Sequence, residues 1–198
     1  MKKPILTLLL ILTTLPLHAA ETQPAWKEAV AAIDAGNLAP MQTLADAGDA
    51  AAQHSLGVLY EKGEGVPADA ATAAAWYHKA AAQGYASAQY NLALMYRDGR
   101  GVARDAAQAQ HWYEQAAAQG HAKAQYQLRM LYQKGDGVAA DTTKAVEWLE
   151  KSAAQGYAKA QYQLGQHYRN SDPQKARAWL EKAAAQDNAD AKKALQTW

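Results

Sequence analysis

ASAQYNLALMYRDGRGVARDAAQAQHWYEQAAAQG, residues 86–120, is followed after a single residue by AKAQYQLRMLYQKGDGVAADTTKAVEWLEKSAAQG, residues 122–156, and the alignment of these two stretches decides how the chain folds. Gln89 and Gln125, Leu92 and Leu128, Tyr96 and Tyr132, and Gly120 and Gly156 are each 36 residues apart. Working outward, Gln53, Leu56 and Tyr60 keep the spacing on one side, and Gln161, Leu164 and Tyr168 keep it on the other. Trp76, Trp112 and Trp148 follow the same period, but Trp179 arrives 31 residues after Trp148, so the fourth unit is five residues short. Self-similarity at a fixed period of this length is the signature of stacked supersecondary units, each burying its apolar face on the next.

The periodicity inside a unit divides it into two helices. At about 100° per residue, Ala52, Leu56, Leu59 and Tyr60 fall on one stripe of a first helix. In a second helix Ala73, Trp76, Tyr77, Ala80 and Ala81 follow the i, i+3, i+4, i+7, i+8 pattern, repeated as Ala109, Trp112, Tyr113, Ala116, Ala117 and as Ala145, Trp148, Leu149, Ser152, Ala153. Small residues beside each Trp permit close helix packing. Asp69, Asp105 and Asp141 stand where this second helix needs an N-cap, and Asp172 is followed by Pro173 at the first helical position. Gly84, Gly120 and Gly156 supply its C-terminal stop. The composition agrees: 49 Ala with few β-branched residues cannot populate a large sheet.

The run Ala52-Gln53-x-x-Leu56-Gly57-x-x-Tyr60-x-x-Gly63-x-Gly65-Val66, then Asp69, Trp76 and Lys79-Ala80-Ala81-x-Gln83-Gly84, resembles a Sel1-like repeat, a relative of the tetratricopeptide repeat with a longer turn. The resemblance implies an all-α fold: a right-handed helical-repeat solenoid of four 36-residue helix-pair units with terminal capping helices. The units are expected at 50–84, 85–120, 121–156 and 157–187. Trp26 to Ala35 and Leu38 to Ala47 read as a degenerate helix pair that caps the front within 20–49. Residues 188–198 read as one more first-type helix, because Ala191, Leu195 and Trp198 follow Ala160, Leu164 and His167 by 31 residues. Two departures from the pattern stand out. The small position of Gly57 and Gly165 carries Ala93 in the second unit and Arg129 in the third, which disturbs the closest helix contact there, and the fourth unit lacks the Gly-x-Gly-Val turn.

Lys2 and Lys3 precede an apolar stretch from Ile5 to Leu17 and small residues at Ala19 and Ala20, the arrangement of a secretory signal peptide, with cleavage after Ala19 preferred (residues 1–19). The stretch is too short for a spanning helix and is interrupted by Pro16. The expected location is periplasmic or secreted. With no Cys the chain takes neither a disulfide nor a lipid at a new N-terminus, so it is not a lipoprotein and no stable membrane insertion is expected after cleavage. Twenty basic against 19 acidic side chains leave no charge excess to drive binding to nucleic acid.

No catalytic residue, metal ligand set or cofactor is expected. The Gly-x-Gly pairs lack the preceding strand and following Lys-Ser/Thr of a phosphate loop and read as turn glycines at positive φ. The histidines never stand at i, i+4 and have no Cys or paired carboxylate at ligand spacing. Ser55, Ser87, Ser152 and Ser171 lie in no nucleophile motif. Some cysteine-rich Sel1-like proteins are assigned β-lactamase-like activity, and a chain without Cys departs from that subgroup.

The informative surface is the face of each first helix opposite its core stripe, which lines the concave groove of such a solenoid. It reads His54 and Val58 in the first unit, Tyr90, Leu94 and Arg97 in the second, Tyr126, Arg129, Met130 and Gln133 in the third, and Tyr162, Gln166 and Arg169 in the fourth. Met, Tyr and Arg are the residue types of adaptable and anchoring contacts. Tyr90, Tyr126 and Tyr162 read equally well as groove or as packing between neighbouring helices. Arg129 either snorkels, its stem buried and its head wet, which is the preferred reading, or projects its guanidinium beside Met130. With Lys62, Lys123, Lys134 and Lys159 added, the groove is expected to be mildly basic.

The expected function is a monomeric, non-catalytic periplasmic scaffold or adaptor that holds a protein partner in this groove. The alternative is an immunity or inhibitor protein that neutralises a periplasmic hydrolase effector. A cell-wall or β-lactam hydrolase is a further reading, disfavoured by the missing Cys and motifs.

Overall fold

The computed structural model describes residues 24–34 and 36–197. The expected signal peptide and Trp198 lie outside the described residues. Among these the chain is all-α, with eleven helices and no strand: α1 (Pro24–Asp34), α2 (Ala39–Asp46), α3 (Ala50–Lys62), α4 (Ala70–Ala82), α5 (Ala86–Asp98), α6 (Ala106–Ala118), α7 (Ala122–Lys134), α8 (Thr142–Ala154), α9 (Ala158–Tyr168), α10 (Pro173–Ala184) and α11 (Ala189–Gln196). Each helix packs on the next in the order of a helix-pair repeat solenoid, α1 to α5 within one compact unit and α6 to α11 within a second, with the boundary at Asp105/Ala106. No described helix is long and apolar enough to cross a membrane.

The helix ends follow from the sequence. Asp69 accepts from the amides of Ala71 and Thr72, Asp141 from that of Lys144 and Asp172 from that of Lys175, each satisfying a donor that a helix start leaves unpaired. The paired turn glycines all have positive φ. At Gly101 the requirement is double, because φ is 69° and a Cβ there would fall on the carbonyl of Ala70 in α4. In the fourth unit the place held elsewhere by Gly84, Gly120 and Gly156 is occupied by Asp187, which takes the same left-handed conformation (φ 62°).

Two hydrogen bonds recur with the repeat. The amide of Asp69 donates to the carbonyl of Tyr60, Asp105 to Tyr96, Asp141 to Tyr132 and Asp172 to Tyr168, at 2.9, 2.9, 2.9 and 2.8 Å. The first three close a turn spanning nine residues and the last a turn of four, so the five missing residues leave the closing bond in place. The buried side-chain amides of Gln53, Gln89, Gln125 and Gln161 donate to the carbonyls of Ala45, Ala81, Ala117 and Ala153, 2.9–3.2 Å away at the end of the preceding second-type helix. Ala45 lies in α2, so α1 and α2 stand toward α3 as a further repeat would. Each such Gln satisfies its own buried amide on a carbonyl that also accepts from the glycine amide three residues on, so the bond ties the first helix of one repeat to the end of the helix before it.

In the first unit the core joins Trp26, Ile33 and Met41 of the leading helix pair to Leu56, Leu59 and Trp76. In the second, Leu149, Ala153, Ala160 and Leu164 form one cluster, and Leu180, Ala183, Ala191 and Ala194 another. Tyr77 and Tyr113 are fully buried, whereas Trp112 and Trp148 are half-buried at the helix edge. The Trp faces carry lysine stems instead: the ammonium groups of Lys79, Lys151 and Lys182 lie 3.7, 4.1 and 4.3 Å from the ring centroids of Trp76, Trp148 and Trp179.

Candidate partner-binding site

In the first compact unit, which holds the first two repeats, the expected groove residues divide. Tyr90, Leu94 and Arg97 are half-buried on α5, but His54 and Val58 are enclosed at 3% and 6% exposure, and this corrects the expectation for both. The helical wheel places them opposite Leu56, yet α3 buries every residue from Ala51 to Leu59, because an inner first helix has neighbours on its flanks as well as behind it. His54 sits between the rings of Tyr77 and Tyr85, at 5.6 and 5.2 Å, with the amide nitrogen of Asn91 3.1 Å from its Nε2.

Beside it runs a polar chain that ties the first repeat to the second. The hydroxyl of Tyr77 donates to Glu61 at 2.6 Å, and Glu61 also receives Nη1 of Arg100 at 2.6 Å. Burial first, then the charge of Glu61, pushes the Tyr77 hydroxyl far above the ordinary phenol range, so it remains a donor at any working pH. Arg97 is similarly spoken for: its Nε and Nη2 donate to Asp98 at 2.7 and 2.9 Å, and that bond holds the Asp98 carboxyl below its usual value. The first unit therefore offers little unneutralised charge on its α5 face.

The second compact unit, with the third and fourth repeats, keeps its candidates accessible. Tyr126, Arg129, Met130, Tyr162, Gln166 and Arg169 are half-buried and Gln133 is exposed. Tyr126 packs on the cluster around Leu149 and meets the ring of Tyr157 edge-on at 5.3 Å, while Tyr162 packs on the cluster around Leu180. Both tyrosines thus brace the scaffold with one face and leave part of the other open. Arg169 reaches the carbonyl of Thr197 at 3.4 Å.

Arg129 takes the projecting arrangement rather than the snorkelling one. Its Nη1 lies 3.0 Å from the sulfur of Met130, and its guanidinium carbon is 5.7 Å from the centre of the Tyr126 ring. Beside it a cavity of about 330 Å3 opens among three helices: Arg129 and Gln133 from α7, Val146 and Leu149 from α8, and Gln163, Gln166 and His167 from α9. The repeat explains why it opens here. A Cβ added to Gly57 would lie 2.5 Å from the Tyr77 ring, and one added to Gly165 would lie 2.8 Å from Leu180, so those helices meet tightly. In the third unit Arg129 replaces the small residue and Leu149 stands where Tyr77 and Tyr113 stand earlier, which removes the ring and moves bulk to the other helix.

Gln163 and His167 escape a sequence reading because each follows a groove position by one residue and faces the α8 side only once the helices are packed. His121 is likewise unannounced. It caps α7, its Nδ1 accepting from the amide of Ala124 at 3.2 Å, and burial, reinforced by Lys123, brings its pKa down to about 4.

Residues 50–85, 86–121, 122–157 and 158–188 match the Sel1 repeat. Among solved structures, the chain is similar to a Sel1 repeat protein from Oxalobacter formigenes (38% identity, TM-score 0.73), over 77% of this chain and 45% of that one. A protective antigen present in uropathogenic Escherichia coli strains, displaying an SLR fold, is 38% identical with a TM-score of 0.74, over 78% of this chain and 34% of that protein. An immunity protein from Pseudomonas aeruginosa is 26% identical with a TM-score of 0.62, over 89% of this chain and 69% of that one. The chain thus spans less than half the length of the first two. No curated protein matches it.

Proposed function

The chain belongs to the Sel1 repeat family, and from that premise we propose that it is a non-catalytic periplasmic scaffold that holds a segment of a protein partner against the first helices of its repeats. The observation that carries the reading is the accessible face of the first helices beside Tyr126 and Tyr162: one position reads Val58, Leu94, Met130, Gln166 and another Glu61, Arg97, Gln133, Arg169, changing in chemistry on a frame whose Gln53, Leu56 and Tyr60 positions repeat unchanged. A Sel1 repeat is a protein-interaction fold, and aromatic, thioether and amide side chains on a rigid helical face suit partner recognition. The compartment rests on Lys2, Lys3 and the apolar stretch that follows them.

The test is affinity capture from periplasmic extract with this chain beside its Tyr126→Ala/Met130→Ala variant. A protein retained by the first and lost by the second, at unchanged helicity, is the expected result. Identical eluates overturn it. The resemblance to an immunity protein across most of the chain favours a second reading, inhibition of a periplasmic hydrolase effector. Under it the captured partner is a hydrolase and co-expression restores growth to cells that the hydrolase kills; a captured partner without hydrolytic activity excludes it.

A further inference from the structure

The cavity among α7, α8 and α9 has a lining suited to an anion. Its one fixed charge is the guanidinium of Arg129, and no acidic side chain lines it. Arg129 makes no ion pair among the described residues; its guanidinium donates to the thioether of Met130, an acceptor that bonds weakly and yields readily to a better one. On α8, Glu150 is already engaged by the hydroxyl of Tyr168 at 2.5 Å and by Lys175 at 3.6 Å. Gln163, Gln166 and His167 line the cavity with Arg129, and Val146 and Leu149 give it an apolar wall.

A half-buried guanidinium without a counter-ion, backed by neutral donors, is complementary to a planar oxyanion, and the apolar wall is complementary to a short hydrocarbon next to it. At about 330 Å3 the cavity is at the small end of ligand sites and suits one or two residues rather than a whole helix. We propose that this cavity is a recognition pocket for a carboxylate carried on a short apolar group of the bound partner, with Arg129 taking the carboxylate and Val146 and Leu149 the hydrocarbon. The proposal rests on the scaffold reading and names the chemistry that the second unit selects. It also accounts for the break in the repeat: the small residue that closes the helix contact in units one and four is exchanged for the one side chain able to make a bidentate bond to a carboxylate.

The experiment titrates three probes into the chain while following the amide resonances of α7 to α9 and the Arg129 Nε–H: N-acetyl-leucine, N-acetyl-leucinamide, and N-acetyl-glutamic acid α-amide, whose carboxylate is on the side chain. N-acetyl-leucine should give saturable shifts at these residues and the neutral amide should bind at least about tenfold more weakly, since charge-assisted bonds to the guanidinium are lost. Whichever carboxylate binds more tightly tells whether the partner presents a chain terminus or an acidic side chain. Arg129→Ala, which installs the residue type of Ala93, should abolish the shifts, and Arg129→Lys should retain charge but weaken binding. Equal binding of acid and amide, or undiminished binding to Arg129→Ala, overturns the pocket. If partner capture stays groove-dependent while no probe binds, the pocket fails and the scaffold stands. Probe binding with no captured partner overturns the scaffold and leaves a small-molecule site.

Discussion

In the first unit the ring of Tyr77 fills the space that Gly57 leaves open, and the phenol ends on Glu61 and through it on Arg100. In the second unit the same two places hold Leu149 and Arg129; the bulk has crossed from one helix to the other and a polar-lined cavity remains. The scaffold hydrogen bonds are indifferent to this exchange, since the Gln-to-carbonyl and Asp-to-Tyr bonds recur in both units. The hydrogen bonds that recur with the repeat and the side chains that fill this contact thus occupy different positions, and the third repeat has changed the second kind without disturbing the first.

The comparison breaks most visibly at the closed contact. Tyr77→Ala should cost roughly 3–5 kcal/mol, because it empties a fully buried aromatic site and removes the donor to Oε2 of Glu61, leaving that carboxylate to Arg100 alone. Trp112→Ala, at a half-buried edge, should cost clearly less, and urea unfolding of the two variants ranks them. Next comes acid. Above its unfolded pKa of ~6.5 His121 is neutral in both states and its stabilising contribution is complete. Between ~6.5 and about 4 the unfolded chain takes up a proton that the folded chain refuses, so stability falls with pH by about 2–3 kcal/mol in total, and below about 4 the slope from this group ends. The places of His121 in the neighbouring repeats are held by Tyr85 and Tyr157, which make no side-chain cap. Hydrogen exchange should therefore find the acid-labile start at α7, and His121→Asn, a good N-cap without a titrating group, should flatten the slope.

A subtler probe rebuilds the first unit's contact in the second. Leu149→Tyr alone, packed against Arg129, should cost about 1–3 kcal/mol by overpacking, and adding Arg129→Gly should return at least ~1 kcal/mol of it. Strict additivity of the two changes would mean that the positions do not face each other in unit two. The smallest effect is at the odd stop. Asp187→Gly should raise stability by ~0.5–1 kcal/mol, because Gly takes positive φ without penalty and the exposed Asp187–Lys192 pair it removes is worth little. Thermal midpoints suffice to check it.

Most of the scaffold was legible because each of its features is local or periodic: the Asp caps, the turn glycines, the 36-residue spacing and the all-α class need only sequence distance. The surface was less so. A helical wheel tells which residues oppose Leu56, but not that the next repeat covers His54. It groups Trp112 with Tyr113, though only the Tyr reaches the interior. The row Gly57, Ala93, Arg129, Gly165 against Tyr77, Tyr113, Leu149, Leu180 contained the cavity all along, yet it reads as a cavity only when both columns are known to touch. The roles of Gln53, Gln89, Gln125 and Gln161 were hidden for the same reason: their constancy shows in the sequence, while their carbonyl partners lie eight residues back across a turn.

The closing bond between the Tyr carbonyl and the Asp amide, kept across turns of nine and of four residues, makes the intervening segment a spacer of free length. Its ends are pinned about 2.9 Å apart by groups that ignore what lies between them. Lengthening such a loop costs only ~0.6 kcal/mol per doubling. The short turn after Tyr168 is therefore a port of entry: foreign sequence grafted between Asn170 and Asp172 would be displayed on a fixed base while the helices on either side kept their seats.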